Sequence, residues 1–404
     1  MQQALSNYGI MRPMNKSRKI AVAVERSSAY GRKLISGVAE IAERHRDWDL
    51  VLLDPPSALT ASDEYDGWIC RVINARTARA LAHCGKPVVD CLCAISEPTF
   101  ASVKTDAERI GNLAAEHLIK HRFHNFAFCG YRRIGFSDRR RNAFSRFLER
   151  NGIRPTIYRP PFHPNNRFGR DFLLGDRVES PHDAADLVKW LKRLPKPVGV
   201  FCCDDLRASH LVSACRSLKL SVPSDVAILG VDDDPIYCMF STPRLSSIDP
   251  DPVAIGQTAA MTLAKMLSDE QLAGNPPSLF VPPRGVIERA STNTYPYAPP
   301  WFSDALDFIR SNAVKGISAS DVFRHVGLSR TLVERVFNEN VSSPVQKKII
   351  EARIDEAKRL LSTTSIPVKE VATLSGFSSL HYLSRAFASA TGRPPTAWRE
   401  QNTT

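Results

Sequence analysis

From Lys19 onward the chain alternates short apolar runs with stretches whose apolar residues recur at helical spacing. "KIAVAVE" reads as a strand, and about Arg32 to Arg46 as a helix with Leu34, Ile35, Val38 and Ile41 on one face. "DLVLLD", "GWICRVI" and "KPVVDCL" follow as predicted strands separated by helical segments. "SVKTD" leads into a helix from Ala107 to His121, then "NFAFCGY" and a helix near Arg139 to Asn151. "VGVFCCDD", a helix and "DVAILGVDDD" continue the series. Unbroken Val/Ile/Leu runs of this kind belong to parallel strands covered on both faces. The alternation predicts an α/β doubly wound plan, long enough for two similar lobes.

The pattern changes near residue 291. "STNTYPYAPPWF", residues 291–302, is rich in Pro and polar residues and has no period, so it reads as a linker. From 303 to 404 only helical patterns remain, which predicts a second, all-α domain. That domain contains a near-repeat. "ISASDVFRHVGLSRTLVERVFNENVSSP" parallels "IPVKEVATLSGFSSLHYLSRAFASATGRPP". Each copy reads as helix, turn with Gly, helix, the helix-turn-helix signature. Ser318 and Asp321 have capping-box spacing, and Pro367 suits a first turn.

In the first copy Val333, Val336 and Phe337 form the apolar stripe, with Thr331, Glu334, Arg335 and Asn338 opposite. In the second, Leu383, Ala386, Phe387 and Ala390 are the expected buried set; His381, Ser384, Arg385 and Ala388 face out. An outer face without acids suits a helix entering the DNA major groove, where Arg pairs with guanine. Between the copies, "VQKKIIEARIDEAKRLL" makes a rigid spacer of about 26 Å at 1.5 Å per residue. That length places two such helices near successive major grooves if the DNA bends somewhat.

Composition changes this picture little. At 43% hydrophobic and 24% charged the 404-residue chain is an ordinary globular one. Its net charge of +12 fits a polyanionic partner, but only 14 basic against 10 acidic residues lie after residue 300. The nine Cys fall between Cys70 and Cys238 without a CxxC pair, as expected of reduced thiols. The first 18 residues lack the apolar core of a secretion signal, and read as a flexible N-terminus. No apolar run is long enough to span a membrane. The expected location is therefore cytoplasmic, with the nucleoid, and no membrane partner.

Ligands of parallel α/β domains bind at the carboxyl ends of strands. Ser28 and Tyr30 follow the first strand, Asp90 ends another, Arg140 lies near a helix start, and Asp204, Asp205 and Asp232 follow later strands. Acids and arginines with aromatic neighbours suit a sugar, whose hydroxyls carboxylates accept. Asp205 reads better as a helix N-cap than as a contact. Turnover chemistry finds little footing: there is no P-loop, GxSxG or HExxH. The ten His and nine Cys show no metal-ligand spacing to this reading, and no cofactor is expected.

"GLSRTLVERVF", "EARIDEAKRLL", "IPVKEVATLSGFSSLHYLSRAF" and "GRPPTAWR" resemble the AraC/XylS-type DNA-binding domain. The resemblance implies base-reading positions at Thr331, Glu334 and Arg335, then Leu380, His381, Ser384 and Arg385. It departs at Val341, where the family usually has Gly after the helix. "SVKTDAERIGNLAAEHLIKH", "GVFCCDDLRASHLVSACRSLKLSVPSDVAILGVDDDP" and "TPRLSSIDPDPVAIGQTAA" resemble the periplasmic-binding-protein-like sensor of LacI/GalR-type repressors. That resemblance places sugar contacts on Asp90, Arg140, Asp204 and Asp232, with Asp204 where Asn is common. The usual N-terminal DNA headpiece has no room before the first strand. The combination is similar to the xylose-operon regulator group of AraC-type activators. It implies a sensor over residues 19–290 that binds xylose or a related monosaccharide, homodimers formed through that sensor, an operator in double-stranded DNA, and RNA polymerase as a further partner. The competing readings are a sugar-binding transport receptor, which would need a signal peptide, and a sugar-processing enzyme.

Overall fold

The computed structural model describes residues 17–53, 64–72, 75–92, 100–132, 134–160, 181–268, 276–295 and 298–402. The chain divides into two compact units, residues 1–293 and 294–404. Of the flexible N-terminus expected over residues 1–18, residues 1–16 lie outside the described residues, and Arg18 already pairs in a strand.

The first unit holds two six-stranded sheets, and it is their carboxyl ends that matter for function. The first sheet consists of β1 (Arg18–Ala23), β2 (Trp48–Leu53), β3 (Gly67–Cys70), β4 (Val88–Asp90), β5 (Ala101–Thr105) and β11 (Ser278–Val281), in the order β11-β5-β4-β3-β1-β2. The second consists of β6 (Asn125–Cys129), β7 (Thr156–Ile157), β8 (Val198–Cys202), β9 (Val226–Val231), β10 (Ser246–Asp249) and β12 (Gly285–Ile287), in the order β12-β10-β9-β8-β6-β7. All pairings are parallel except β10 with β12. The central strands β3, β8 and β9 are buried at every residue, which is why their sequences are unbroken apolar runs. The edge strand β11 instead exposes Leu279 and Phe280.

Among the described strands the chain passes between the sheets three times, after β5, after β10 and after β11. Helices α1 (Ala29–Ala42), α2 (Ala75–His83) and α8 (Pro252–Ser268) belong to the first lobe. Helices α3 (Ala107–Lys120), α4 (Gly135–Arg150), α5 (Pro181–Arg193), α6 (Asp205–Ser217) and α7 (Pro235–Phe240) belong to the second. Two helices begin earlier than their apolar period suggests. Ser28 caps α1 by accepting from the Gly31 N–H at 3.0 Å, and α4 starts at Gly135. Tyr30 is therefore a helical residue, and Arg140, expected near a helix start, lies in the second turn of α4.

The second unit is helical throughout: α9 (Pro300–Asn312), α10 (Ala319–Val326), α11 (Arg330–Val341), α12 (Val345–Thr363), α13 (Val368–Leu374), α14 (Leu380–Thr391) and α15 (Pro395–Asn402). It has two cores, one per repeat. Phe302 packs edge-on against Phe337 at 4.9 Å in the first, and Phe387 against Trp398 at 5.8 Å in the second. Ser318 and Asp321 form the expected capping box at α10. Arg353 of α12 is buried and donates to the carbonyls of Ala313 and Ile317, at 2.9 and 2.7 Å.

Three sequence expectations need correction here. The stretch 291–302 is not all linker: Ser291 and Thr292 are fully buried in the first unit, and Pro300 to Phe302 begin α9. Ala390 is exposed, not core. Val341 is still helical; the left-handed position after α11 is Ser342, at φ 48°, and Gly392 holds the matching place after α14 at φ 75°.

Gly376 is where the second repeat tolerates no side chain. Its φ is 81°, and a Cβ there would lie 2.6 Å from the Ala313 carbonyl oxygen and 2.7 Å from Val314 Cα. Gly327, the equivalent turn residue of the first repeat, has φ 68° but open space around it. Gly327→Ala should cost about 1–2 kcal/mol, the left-handed penalty alone. Gly376→Ala should cost clearly more, because backbone must move. Urea unfolding of the two full-length variants checks this; equal losses would refute the close approach.

Candidate functional site

The cleft between the two lobes of the first unit is lined from both sheets at their carboxyl ends. The first lobe contributes Glu25, Tyr30 and Arg71 among others; the second contributes Phe136, Arg140, Asp204, Asp205 and Asp232. The cavity holds about 110 Å³.

Its walls are made by buried charge. Glu25, just past β1, is 5% exposed; its Oε1 accepts from Arg71 and from Ser28 Oγ. The Arg71 guanidinium also lies 5.0 Å over the Tyr30 ring. Arg140 is 4% exposed, stacks 5.1 Å over Phe136, donates to the Cys203 carbonyl and sits 3.6 Å from Asp232. Burial pushes the Tyr30 phenol up to about 12, so it is a neutral donor at physiological pH.

Asp204 and Asp205 divide the work differently from the sequence expectation. Asp204 is the N-cap of α6: its Oδ1 accepts from the Arg207 N–H at 2.7 Å. Its Oδ2 is buried and has no hydrogen-bond partner among the described residues. Asp205, expected as the cap, instead accepts from Ser247 Oγ at 2.7 Å and the Asp234 N–H at 2.8 Å. Burial, reinforced by Asp232, pushes its carboxyl up. Gly230 leaves it room, since a Cβ there would sit 2.0 Å from Asp205 Oδ1.

Asp232 and Asp233 both have positive φ, 109° and 45°, a strained conformation for residues with a side chain. The loop is held by several bonds. The Asp232 N–H donates to Ile248, the Asp233 N–H to Ser247 Oγ, and Arg289 to Asp233 Oδ1 at 2.6 Å. The two lobes also touch at the rim: the Ala29 N–H donates to Asp234 Oδ2 at 3.2 Å, and Lys33 Nζ to the Asp233 carbonyl at 3.2 Å.

Of the five expected ligand residues, Tyr30, Arg140, Asp204 and Asp232 line this cavity. Asp90 does not. It is buried, and its Oδ1 accepts from the Val72 and Leu92 N–H groups, at 3.0 and 2.9 Å, tying the ends of β3 and β4 together. Glu25, Arg71 and Phe136 escaped sequence reasoning. Arg71 was hidden because "GWICRVI" reads as one strand, whereas β3 ends at Cys70 and leaves Arg71 at the strand's mouth. One further group was overlooked: His117, in the last turn of α3, and His121, its C-cap four residues on, lie next to Glu288.

In the second unit, α11 and α14 are the second helices of the two repeats. Ser329 and Ser379 cap them, accepting from Leu332 and Tyr382 N–H groups. Thr331 and Arg335 are exposed on α11, as are Leu380, His381 and Arg385 on α14; Ser384 is half-buried. Glu334 is turned inward: its Oε2 accepts from the Val345 N–H at 3.2 Å, at the start of α12, where a carboxylate suits the helix dipole. Its expected base-reading role competes with this cap. The α12 helix has 19 residues, or about 28 Å at 1.5 Å each.

Residues 115–292 match the periplasmic binding protein-like domain family, and residues 322–401 match a helix-turn-helix domain family. The xylose operon regulatory protein of Haemophilus influenzae is 26% identical over 395 residues, covering 94% of this chain and 98% of that protein. That of Escherichia coli K12 is 26% identical over 398 residues, covering 96% and 98%. Among solved structures, the xylose-binding transcription activator xylR aligns with TM-score 0.61 and 26% identity, covering 96% of this chain and 99% of that one. The regulator CelR bound to cellobiose shares the fold over 68% of this chain, at 19% identity and TM-score 0.54. The chain is therefore a DNA-binding transcription regulator of the AraC type with a periplasmic-binding-protein-like sensor. It is homologous along nearly its whole length to the xylose operon regulatory proteins. No helix among the described residues is long and apolar enough to cross a membrane.

The structural role of Asp90 is testable. Asp90→Ala leaves two buried N–H groups without their acceptor, so it should destabilise the chain by about 1–3 kcal/mol. It should not abolish ligand binding. Denaturant unfolding and ligand titration of the same variant check both halves; lost binding with unchanged stability would restore Asp90 as a contact.

Proposed function

We propose that this regulator senses a neutral monosaccharide of the xylose class in the interlobe cleft and adjusts transcription of carbohydrate catabolic genes accordingly. The observation that carries the reading is the polar wall itself. Five acids (Glu25, Asp204, Asp205, Asp232 and Asp234) and four bases (Arg71, Lys104, Arg139 and Arg140) line the cavity, a near balance that suits an uncharged polar ligand. Two buried carboxylate oxygens, Glu25 Oε2 and Asp204 Oδ2, have no partner among the described residues. A buried acceptor left empty is costly, and sugar hydroxyls are donors of the right kind. At about 10–15 Å³ per water-sized probe, the cavity holds roughly as many water-sized groups as a pentose has heavy atoms. Phe136 and Tyr30 supply ring faces for sugar C–H groups.

Tyr30, Arg140, Asp204 and Asp232 are the assigned sugar contacts, joined by Glu25 and Arg71. DNA contacts are assigned to Thr331, Arg335, Leu380, His381, Ser384 and Arg385, with Glu334 contributing only if it leaves its helix cap. The protein acts as a homodimer through the sensor, in the cytoplasm on an operator in double-stranded DNA, and works with RNA polymerase as an activator. It works as a binding protein rather than an enzyme, a reading supported by its homology to transcription regulators.

The deciding experiment is thermal melting of the full chain against a panel of monosaccharides. The matching sugar at 100 times its Kd should add about 2.7 kcal/mol of stability. Asp232→Asn should lose that shift and keep operator binding. No stabilisation by any pentose or hexose would refute the ligand class.

For the DNA unit, Arg385→Ala should weaken operator binding by about 1–3 kcal/mol and leave binding to unrelated DNA nearly unchanged. Mobility-shift titrations at one fixed salt concentration measure both. An equal loss on both DNAs would demote Arg385 to a phosphate contact.

A further inference from the structure

His117 and His121 lie one helical turn apart at the carboxyl end of α3. Their rings face each other, with centroids 4.6 Å apart, and both are nearly fully buried, at 8% and 1% exposure. Glu288, just past β12, closes the group from the other side, with Oε2 at 3.4 Å from His121 Nε2. One donor atom from each of the three residues falls within 4.8 Å of the others. Thr292 Oγ1 lies 2.9 Å from His117 Nε2, and in turn donates to Ser246 Oγ at 2.7 Å. None of these residues lines the sugar cleft.

We propose that His117, His121 and Glu288 form a binding site for a divalent transition-metal ion, with zinc the best fit. The donor set of two imidazoles and one carboxylate is a recognised one for zinc, with a fourth position left for water or the Thr292 hydroxyl. The distances favour an ion over a plain ion pair. A charge-assisted N–H···O bond spans about 2.7–2.9 Å. The 3.4 Å between His121 and Glu288 is longer, and close to the edge of about 3.3–3.4 Å between two ligands of a tetrahedral ion with bonds of about 2.0–2.1 Å. The remaining separations, up to 4.8 Å, close by small rotations of three side chains. The carboxyl end of α3 adds its dipole, which favours a cation.

An ion here would cross-link α3 to residues 285–292, the last stretch of the sensor before the second unit begins at Thr294. Such a cross-link stabilises the sensor by mass action, because the unfolded chain holds no preformed site.

The test uses the full-length protein, stripped with chelator, and titrated with cobalt(II) and then zinc. One equivalent of cobalt should bind, giving visible d–d bands without a thiolate charge-transfer band in the near ultraviolet, and zinc should displace it. Melting should rise with zinc. Glu288→Gln is partly exposed and spares the helix; it should weaken cobalt binding at least tenfold while the metal-free melting temperature stays near that of the parent. His121→Gln should abolish binding, with circular dichroism confirming that the chain folds. A thiolate band would assign the metal to cysteines and overturn the proposal. So would unchanged affinity in Glu288→Gln, or no stoichiometric binding at micromolar metal.

Discussion

Charge buried at the carboxyl ends of two parallel sheets is the constraint on which the sensor depends. Glu25, Arg71, Arg140, Asp204 and Asp205 are all under 10% exposed, and each must find partners or be destabilising. Most do so within the protein. Glu25 takes Arg71, Arg140 takes the Cys203 carbonyl and the neighbourhood of Asp232, and Asp205 takes Ser247 and the backbone of Asp234. What remains are Glu25 Oε2 and Asp204 Oδ2, buried and without a hydrogen-bond partner among the described residues, on two residues that line the cleft. A fold that satisfies most of its buried charge and leaves two acceptors unfilled beside a cleft suits a ligand with donors. The fold places this set by a simple rule: helices start where strands end, and residues in those turns come together from distant parts of the sequence.

Much of that rule was legible in the sequence. Unbroken apolar runs marked the strands, so the residues just after them could be named, and Tyr30, Arg140, Asp204 and Asp232 do meet in the cleft. The failures have physical causes. Asp90 ends β4, but its Oδ1 accepts from two backbone N–H groups and it does not line the cavity, and hydrogen-bond direction has no signature in sequence. Which of two adjacent acids caps α6 depends on a single backbone position, so Asp204 and Asp205 exchanged roles. Arg71 was concealed by apolar neighbours that continue past the strand's end. The His117, His121 and Glu288 group joins a helix to a strand that follows it by well over a hundred residues, and only the i, i+4 half of it was readable.

The helical unit was more readable, because its chemistry is local. Repeated apolar spacing, a Gly in each turn and serine caps specify both helix-turn-helix units within short windows. Even so, the two copies are not equivalent. The outer face of α11 loses Glu334 to the start of α12, whereas α14 keeps His381 and Arg385 exposed. The left-handed turn after α11 is made by Ser342, and after α14 by Gly392. The first repeat therefore commits Glu334 to holding α12, whereas α14 carries no acid along its length. A division of labour follows, with α14 the stronger candidate for base readout and α11 for positioning.

The lobes are joined by three chain crossings and, across the cleft mouth, by Ala29 with Asp234 and Lys33 with Asp233. Asp233 and Asp232 adopt positive φ, which costs on the order of 1–3 kcal/mol at each residue and persists only because surrounding bonds fix the loop. The loop that bears Asp232, proposed above as a sugar contact, is thus the same loop that latches one lobe to the other. A ligand held by Asp232 would switch the sensor only if its binding energy differed between an open and a closed cleft. That difference is the requirement for any ligand-driven switch: a sugar that bound both arrangements equally well would change nothing downstream.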